Sequence, residues 1–251
     1  MTAMTNPPSP SPTDSDHRAL ADSLSKALHL AVAPIGISFT AEAGAGVAAF
    51  DEPMSEPAAD GRAGRVAAGC VFWVRAAERS FTTAPADHGN CSVGRYTHGL
   101  ASLEEVAGNG DVAALLESGW VTPEAVGGIP AISERPEMVT YGPVAEASVA
   151  PDVVLLRVNG RQMMVLSDAV PGLRIEGKPQ CHIVAIAKEQ GEVAASVGCA
   201  LSRVRTGMAA TEMTCAIPAV KLSDVVAAIE RNAMADATVA RYAAEDAQRF
   251  A

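Results

Sequence analysis

Tight cysteine pairs are missing from this sequence: its five cysteines stand at 70, 91, 181, 199 and 215, with no CxxC among them. Zinc ribbons and ferredoxin-type loops normally show at least one close pair, so local spacing gives no ready-made metal motif. Glycine-rich phosphate loops, HExxH, GxSxG and the dinucleotide fingerprint are lacking too, which argues against the common nucleotide enzymes. Cationic charge is scarce, with 19 Lys plus Arg against 29 Asp plus Glu and a net charge of −10. Nucleic acids and anionic membranes demand clustered cations to displace counterions, so neither is an expected partner. Every apolar run is broken by charge, Gly or Pro before the roughly 18 to 20 residues that span a bilayer. The opening stretch MTAMTNPPSPSPTDSD has neither a basic start nor an apolar core, so a cytoplasmic protein without a signal or transit peptide is expected. Its Pro, Ser and Thr cannot offset their ordering entropy by burial, and residues 1–15 are expected to form a disordered tail.

Apolar residues are plentiful, 49% of 251, enough for a full core without disulfide staples. A single globular domain over 16–251 is expected, with a possible sub-boundary near 143. Ser15 and Asp16 suit the start of a helix whose Leu20, Leu24, Leu28 and Ala31 recur every three to four residues until Pro34. A strand should follow at Ile35 to Phe39, and Ala41 to Arg65 reads as loop with a short strand near Val47 to Phe50. Val71 to Arg79 suits a helix, Phe81 to Thr83 a strand, Asp87 to Cys91 a turn, and Ser92 to Leu100 another helix. Short helices broken by Gly108, Gly110, Gly127, Gly128 and Pro130 fill Leu103 to Glu137. Apolar strands are expected at Pro151 to Val158, Cys181 to Ala187 and Glu212 to Ile217, with a helix after Gly160. Leu222 to Met234 carries an amphipathic face, and an Ala-rich helix closes the chain. The fold class is α/β (mixed α+β), a helix-rich, loop-rich N-terminal half and a sheet-containing C-terminal half packed as one globular unit.

Cys70, Cys91 and Cys199 each follow a turn-former, Gly69, Asn90 and Gly198, where backbone N–H groups can reach a sulfur. In a reducing compartment the thiols read as metal ligands, reactive nucleophiles or small core residues rather than disulfides. Cys215 alternates with Met213 and Ile217 and reads as a core thiol. His88 and His98 flank Cys91, so either could be a ligand, a proton donor, or the base of a Cys–His pair, or simply a capping histidine. Asp87 could orient His88. His182 would point away from Cys181 on a strand, and His17 and His29 look like helix-surface residues. Arg75, Arg95, Arg203 and Arg205 follow cysteines and could offset thiolate charge, or be ordinary surface cations.

The segments LAVAPIGISF, GCVFWVRAAERSFTTAPADHGNCSVGRYTHGL and EMTCAIPAVKL, with a further cysteine and a GC turn between the last two, resemble the uncharacterised family called domain of unknown function 169. The resemblance covers nearly the whole chain after the tail, and DHGNCSVGRYTHGL is its most specific piece. That family has a cysteine before an aromatic-rich helix, a second in a D-H-x-x-C-x-x-G turn, and two in the later half. Cys70, Cys91, Cys181 and Cys199 fall at those places, although the segment around Cys199 is shorter than the family pattern. Cys215 stands where the family has an ordinary apolar residue. The resemblance carries no settled reaction. It implies that four distant cysteines belong together, and four thiolates fit a 4Fe–4S cluster or a tetrahedral zinc. Phe72, Trp73 and Tyr96 would make a dry pocket that tunes a redox potential, which favours iron–sulfur. The expectation is thus a redox or cluster-assisted protein with Cys70, Cys91, Cys181 and Cys199 as cofactor and metal ligands. His88, His98 and Arg95 would line a site for a small molecule or electron-transfer partner. Alternatives are a thiol enzyme using Cys91, and a non-catalytic ligand-binding accessory module whose cysteines only pack; zinc, or no cofactor, is the alternative to the cluster. Pairing into a homo-oligomer through the C-terminal helices stays open.

Overall fold

The computed structural model describes residues 14–44, 46–52, 69–89, 91–177, 179–200, 202–203 and 208–250. Most of the expected tail, residues 53–65 of the expected loop, and Arg205 lie outside the described residues.

The chain builds one seven-stranded sheet with helices on both faces, a mixed α+β fold. Its strands are β1 (Ile35–Thr40), β2 (Phe81–Thr83), β3 (Met138–Pro143), β4 (Val153–Val158), β5 (Arg174–Glu176), β6 (Ala194–Ser196) and β7 (Met213–Pro218), in the order β2-β3-β1-β4-β7-β6-β5. All neighbours are antiparallel except β5 and β6. The sheet draws β1 and β2 from the half expected to be mainly helical, and Pro143 is the last residue of β3, hydrogen-bonded to β1 rather than at a seam.

The helices are α1 (Asp14–Leu28), α2 (Gly69–Arg75), α3 (Ser92–Thr97), α4 (Leu103–Ala107), α5 (Gly110–Glu117), α6 (Pro123–Gly127), α7 (Gly160–Ala169), α8 (His182–Ala185) and α9 (Leu222–Arg249). Strand alternation sends side chains to two separate cores. On one face, Leu24, Leu28, Leu156, Met163, Leu166, Cys215, Ile217, Leu222 and Ile229 close α1, α7 and the start of α9 over the sheet. On the other, Ile35, Ile37, Phe81, Tyr141, Leu155 and Ala216 receive α2, α8 and Leu100.

Several expectations change. Cys181 to Ala187 is not a strand. Cys181 lies in a turn, α8 follows, and Ile186–Gln190 is a π-helical turn closed by Gly191 in the left-handed region at φ 63°. Every residue from Cys181 to Ala187 is buried, so the run has no polar side to betray its period, and a short apolar run of that kind suits either structure. The strand expected at Val47 to Phe50 reduces to a single bridge, Ala49 to Thr82. His17 is buried rather than on the helix surface, because it shares a spacing of 4, 3 and 4 with Ala21, Leu24 and Leu28. His29 is exposed, with φ 51° just past α1. The amphipathic helix and the Ala-rich helix near the C-terminus are one continuous α9.

A buried thiol and imidazole site

Cys70 opens α2, Cys91 caps α3, Cys181 precedes α8, and Cys199 follows Gly198 after β6. All five cysteines are thiols, not disulfides. Burial pushes the Cys70 thiol far above its ordinary range; negative charge on Cys91 and Cys199 pushes it further, while a hydrogen bond from the Gln180 side chain pulls it back. Burial raises Cys181 in the same way, and Cys91, Cys70 and Cys199 add to it against a hydrogen bond with Thr97. Cys70 and Cys181, both buried, therefore each lie within electrostatic reach of Cys91 and Cys199, both half-buried. Cys215 differs: its thiol is pushed up to about 12 by burial alone, and it points into the opposite core beside Leu156 and Ala195. The core reading of Cys215 thus follows from strand parity.

Helix α3 ties two of these thiols together. The Gly94 N–H donates to Cys91 Sγ at 3.3 Å, and the Gly94 carbonyl accepts from Thr97 Oγ1 at 3.2 Å. The Thr97 hydroxyl lies against Cys181 as well. Gly99, at φ 71°, ends this segment where a Cβ would stand 2.4 Å from the Glu134 carbonyl oxygen. Ile132 N–H donates to the Thr97 carbonyl at 3.0 Å, so the loop beyond α6 is pinned to the end of α3.

His88 and His98 are fully buried, their ring centres 5.9 Å apart. His88 Nε2 bonds Thr83 Oγ1 at 2.9 Å, and Thr83 gives its proton to the Val139 carbonyl at 3.0 Å. His98 Nδ1 bonds Thr97 Oγ1 at 3.1 Å, whose proton goes to Gly94. Burial, with His98 and Arg95 nearby, lowers His88 well below the usual histidine range, and burial brings His98 to about 4. Both imidazoles are neutral at pH 7. Phe72 stacks on Tyr141 and lies tilted against His88, and the Tyr141 phenol is raised by burial and by Cys70 and Cys181.

Six side-chain atoms here are buried without a hydrogen-bond partner: Trp73 Nε1, His88 Nδ1, Arg95 Nε, His98 Nε2, Tyr141 Oη and Gln180 Oε1. Each such orphan costs about 1 to 3 kcal/mol. Tyr96 is only half-buried, while Phe72 and Trp73 are wholly enclosed.

The remaining basic residues do other work. Arg75 pairs with Glu52 on the surface at 3.0 Å, and Arg203 braces the Val197, Ala209 and Glu212 carbonyls. A Cβ on Gly198 would stand 2.5 Å from the Arg203 guanidinium, which explains the glycine before Cys199. Asp87 caps Ala84 rather than orienting His88. His182 lies on a helix, not a strand, 3.7 Å from Glu176. Tyr141, Gln180, Thr83 and Thr97 were not singled out from the sequence. Thr97 and Gln180 adjoin His98 and Cys181, which is the only local signal they carried.

The family profile described as DUF169, uncharacterised ArCR, matches residues 23–228. The chain belongs to this family. No curated protein sequence and no solved structure matches the chain. The DUF169 match spans all seven strands and the four clustered cysteines, and it stops within the first turns of α9. Among the described residues, no helix is long and apolar enough to cross a membrane.

Proposed function

We propose that this DUF169 protein holds a 4Fe–4S cluster on Cys70, Cys91, Cys181 and Cys199 and serves a redox or cluster-assisted role in the cytoplasm. The observation that carries the reading is that Cys70 and Cys181, both buried, each feel Cys91 and Cys199, both half-buried, while Cys215 lies in the core on the other face of the sheet. The donor set fits the group. Thiolates are the usual cluster ligands, the Gly94 N–H on Cys91 is the kind of contact that stabilises a ligating sulfur, and orphaned donors stand nearby.

Such a group would supply one-electron chemistry or a Lewis-acidic iron. The chain's own residues shape its surroundings. Phe72, Trp73 and Phe81 exclude water, Gln180 and Thr97 hydrogen-bond Cys70 and Cys181, and Arg95, within reach of His88, lines a site for a small molecule or electron-transfer partner.

Anaerobic purification followed by an absorption spectrum with iron, sulfide and zinc analysis tests the proposal. About four irons and four sulfides per chain are expected with a broad visible band. One zinc without colour, or a colourless metal-free chain, would overturn it.

A further inference from the structure

The hydrogen bonds around His88 and His98 fix which nitrogen of each ring carries the proton. A hydroxyl has one proton, and Thr83 spends it on the Val139 carbonyl, so Thr83 must accept from His88 Nε2–H. Thr97 spends its proton on the Gly94 carbonyl and accepts from His98 Nδ1–H. The opposite nitrogens, His88 Nδ1 and His98 Nε2, are therefore bare lone pairs, both buried and both without a donor. A neutral imidazole held by its N–H, with the other nitrogen free and enclosed, is the arrangement of a metal-ligating histidine. Tyr141 Oη is a third buried atom of ligand type with no partner, on a ring whose centre is 6.2 Å from that of His88.

We propose that His88 Nδ1, His98 Nε2 and Tyr141 Oη form a metal site separate from the four cysteines, an N2O set for one first-row transition-metal ion. Two imidazoles on one ion, each nitrogen about 2.1 Å from it, hold their ring centres no more than about 6.5 Å apart. The observed 5.9 Å is inside that limit. Nitrogen and phenolate oxygen donors suit iron, cobalt, copper or zinc better than calcium or magnesium, which prefer oxygen throughout. The Arg95 cation within reach of His88 opposes a metal ion. Loss of the Tyr141 phenol proton on metal binding offsets it. The site stands on hydrogen-bond topology and does not need a cluster to be present.

Cobalt(II) is the probe, added to the full-length chain after the metals it carries as isolated have been analysed. One cobalt per chain is expected to show ligand-field bands without sulfur-to-cobalt charge transfer. Tyr141→Phe and His98→Gln should lose that equivalent while iron and sulfide content is kept. If every bound cobalt shows thiolate charge transfer, or if Tyr141→Phe keeps the sulfur-free equivalent unchanged, the inference falls. Nitrogen-15 spectra of the histidines in the metal-free wild-type chain give a second reading that needs no variant. They should show His88 protonated on Nε2 and His98 on Nδ1, and the reverse tautomer at either ring overturns the site. Sulfur-free cobalt binding by a chain that carries no iron or sulfide would retain this inference and sink only the cluster.

Discussion

Single residues divide the five cysteines into two kinds. Cys70 and Cys181 are buried within electrostatic reach of the half-buried Cys91 and Cys199, and Cys215 is a lone thiol packed with Leu156 and Ile217. Replacing any one of the four with serine is expected to remove most of the iron and sulfide, whereas Cys215→Ser keeps them at a cost of about 1 to 3 kcal/mol in unfolding free energy. Loss of the chromophore only at Cys215 would reverse the assignment. The buried histidines make a separate prediction about pH. His98 falls from an ordinary 6.5 to about 4 in the folded chain, so the unfolded chain binds its proton first. Stability from this group is present above pH 6.5 and is lost as pH falls towards 4, up to about 3 kcal/mol. His88, lowered more by burial, extends the loss in the same direction. Urea melts of the wild type and His98→Gln between pH 7 and 4 should converge at the acid end; parallel curves would show that His98 does not titrate with unfolding. The cysteine positions were legible because DHGNCSVGRYTHGL is distinctive. Thr83 and Tyr141 were not, because an ordinary strand Thr or Tyr carries no sign that its partner lies five or more than fifty residues away.

At the scale of elements, periodicity was readable wherever one side of an element meets solvent or sheet alternation is unbroken. Leu24 and Leu28 in α1, the run β4, and Leu222 to Ile229 in α9 all show it. It failed for α8, buried on every side, and for β5 and β6, each three residues long and recognisable only by pairing. Strand β3 was hidden by its Gly142–Pro143 ending, yet Gly142 is required there. A Cβ at this position would meet Ser80 Oγ at 2.1 Å and its Cα at 3.0 Å, so Gly142→Ala is expected to cost about 1 to 3 kcal/mol through overpacking next to Tyr141. A thermal melt within experimental error of wild type would contradict that. Helix α9 divides by exposure. Its Leu222, Val226 and Ile229 are in the core, while Met234, Val239, Tyr242 and Phe250 are exposed. Deleting residues 236–251 should change unfolding free energy by less than about 1 kcal/mol, against 2 to 5 kcal/mol for Ile229→Ala. A large loss of stability in the truncated chain would show that the distal helix has a partner.

Taken whole, the molecule assigns its two cores different tasks. The face under α1, α7 and α9 is almost purely apolar apart from His17 and Gln162, and Gln162 is satisfied by the Leu28 and His29 carbonyls. The face under α2, α3 and α8 gathers thiols, imidazoles and a phenol, with orphaned polar atoms that an apolar core would not tolerate. Sequence reading reached the mixed α+β class and the family, but not this segregation, because which face a residue joins depends on strand register and order. The most direct measurement of the central claim is acid-labile sulfide and iron in three anaerobically purified chains, wild type, Cys181→Ser and Cys215→Ser, side by side. The account predicts about four of each in wild type and Cys215→Ser and a near-complete loss in Cys181→Ser. Equal contents in all three, or none in wild type, would contradict a shared four-cysteine site.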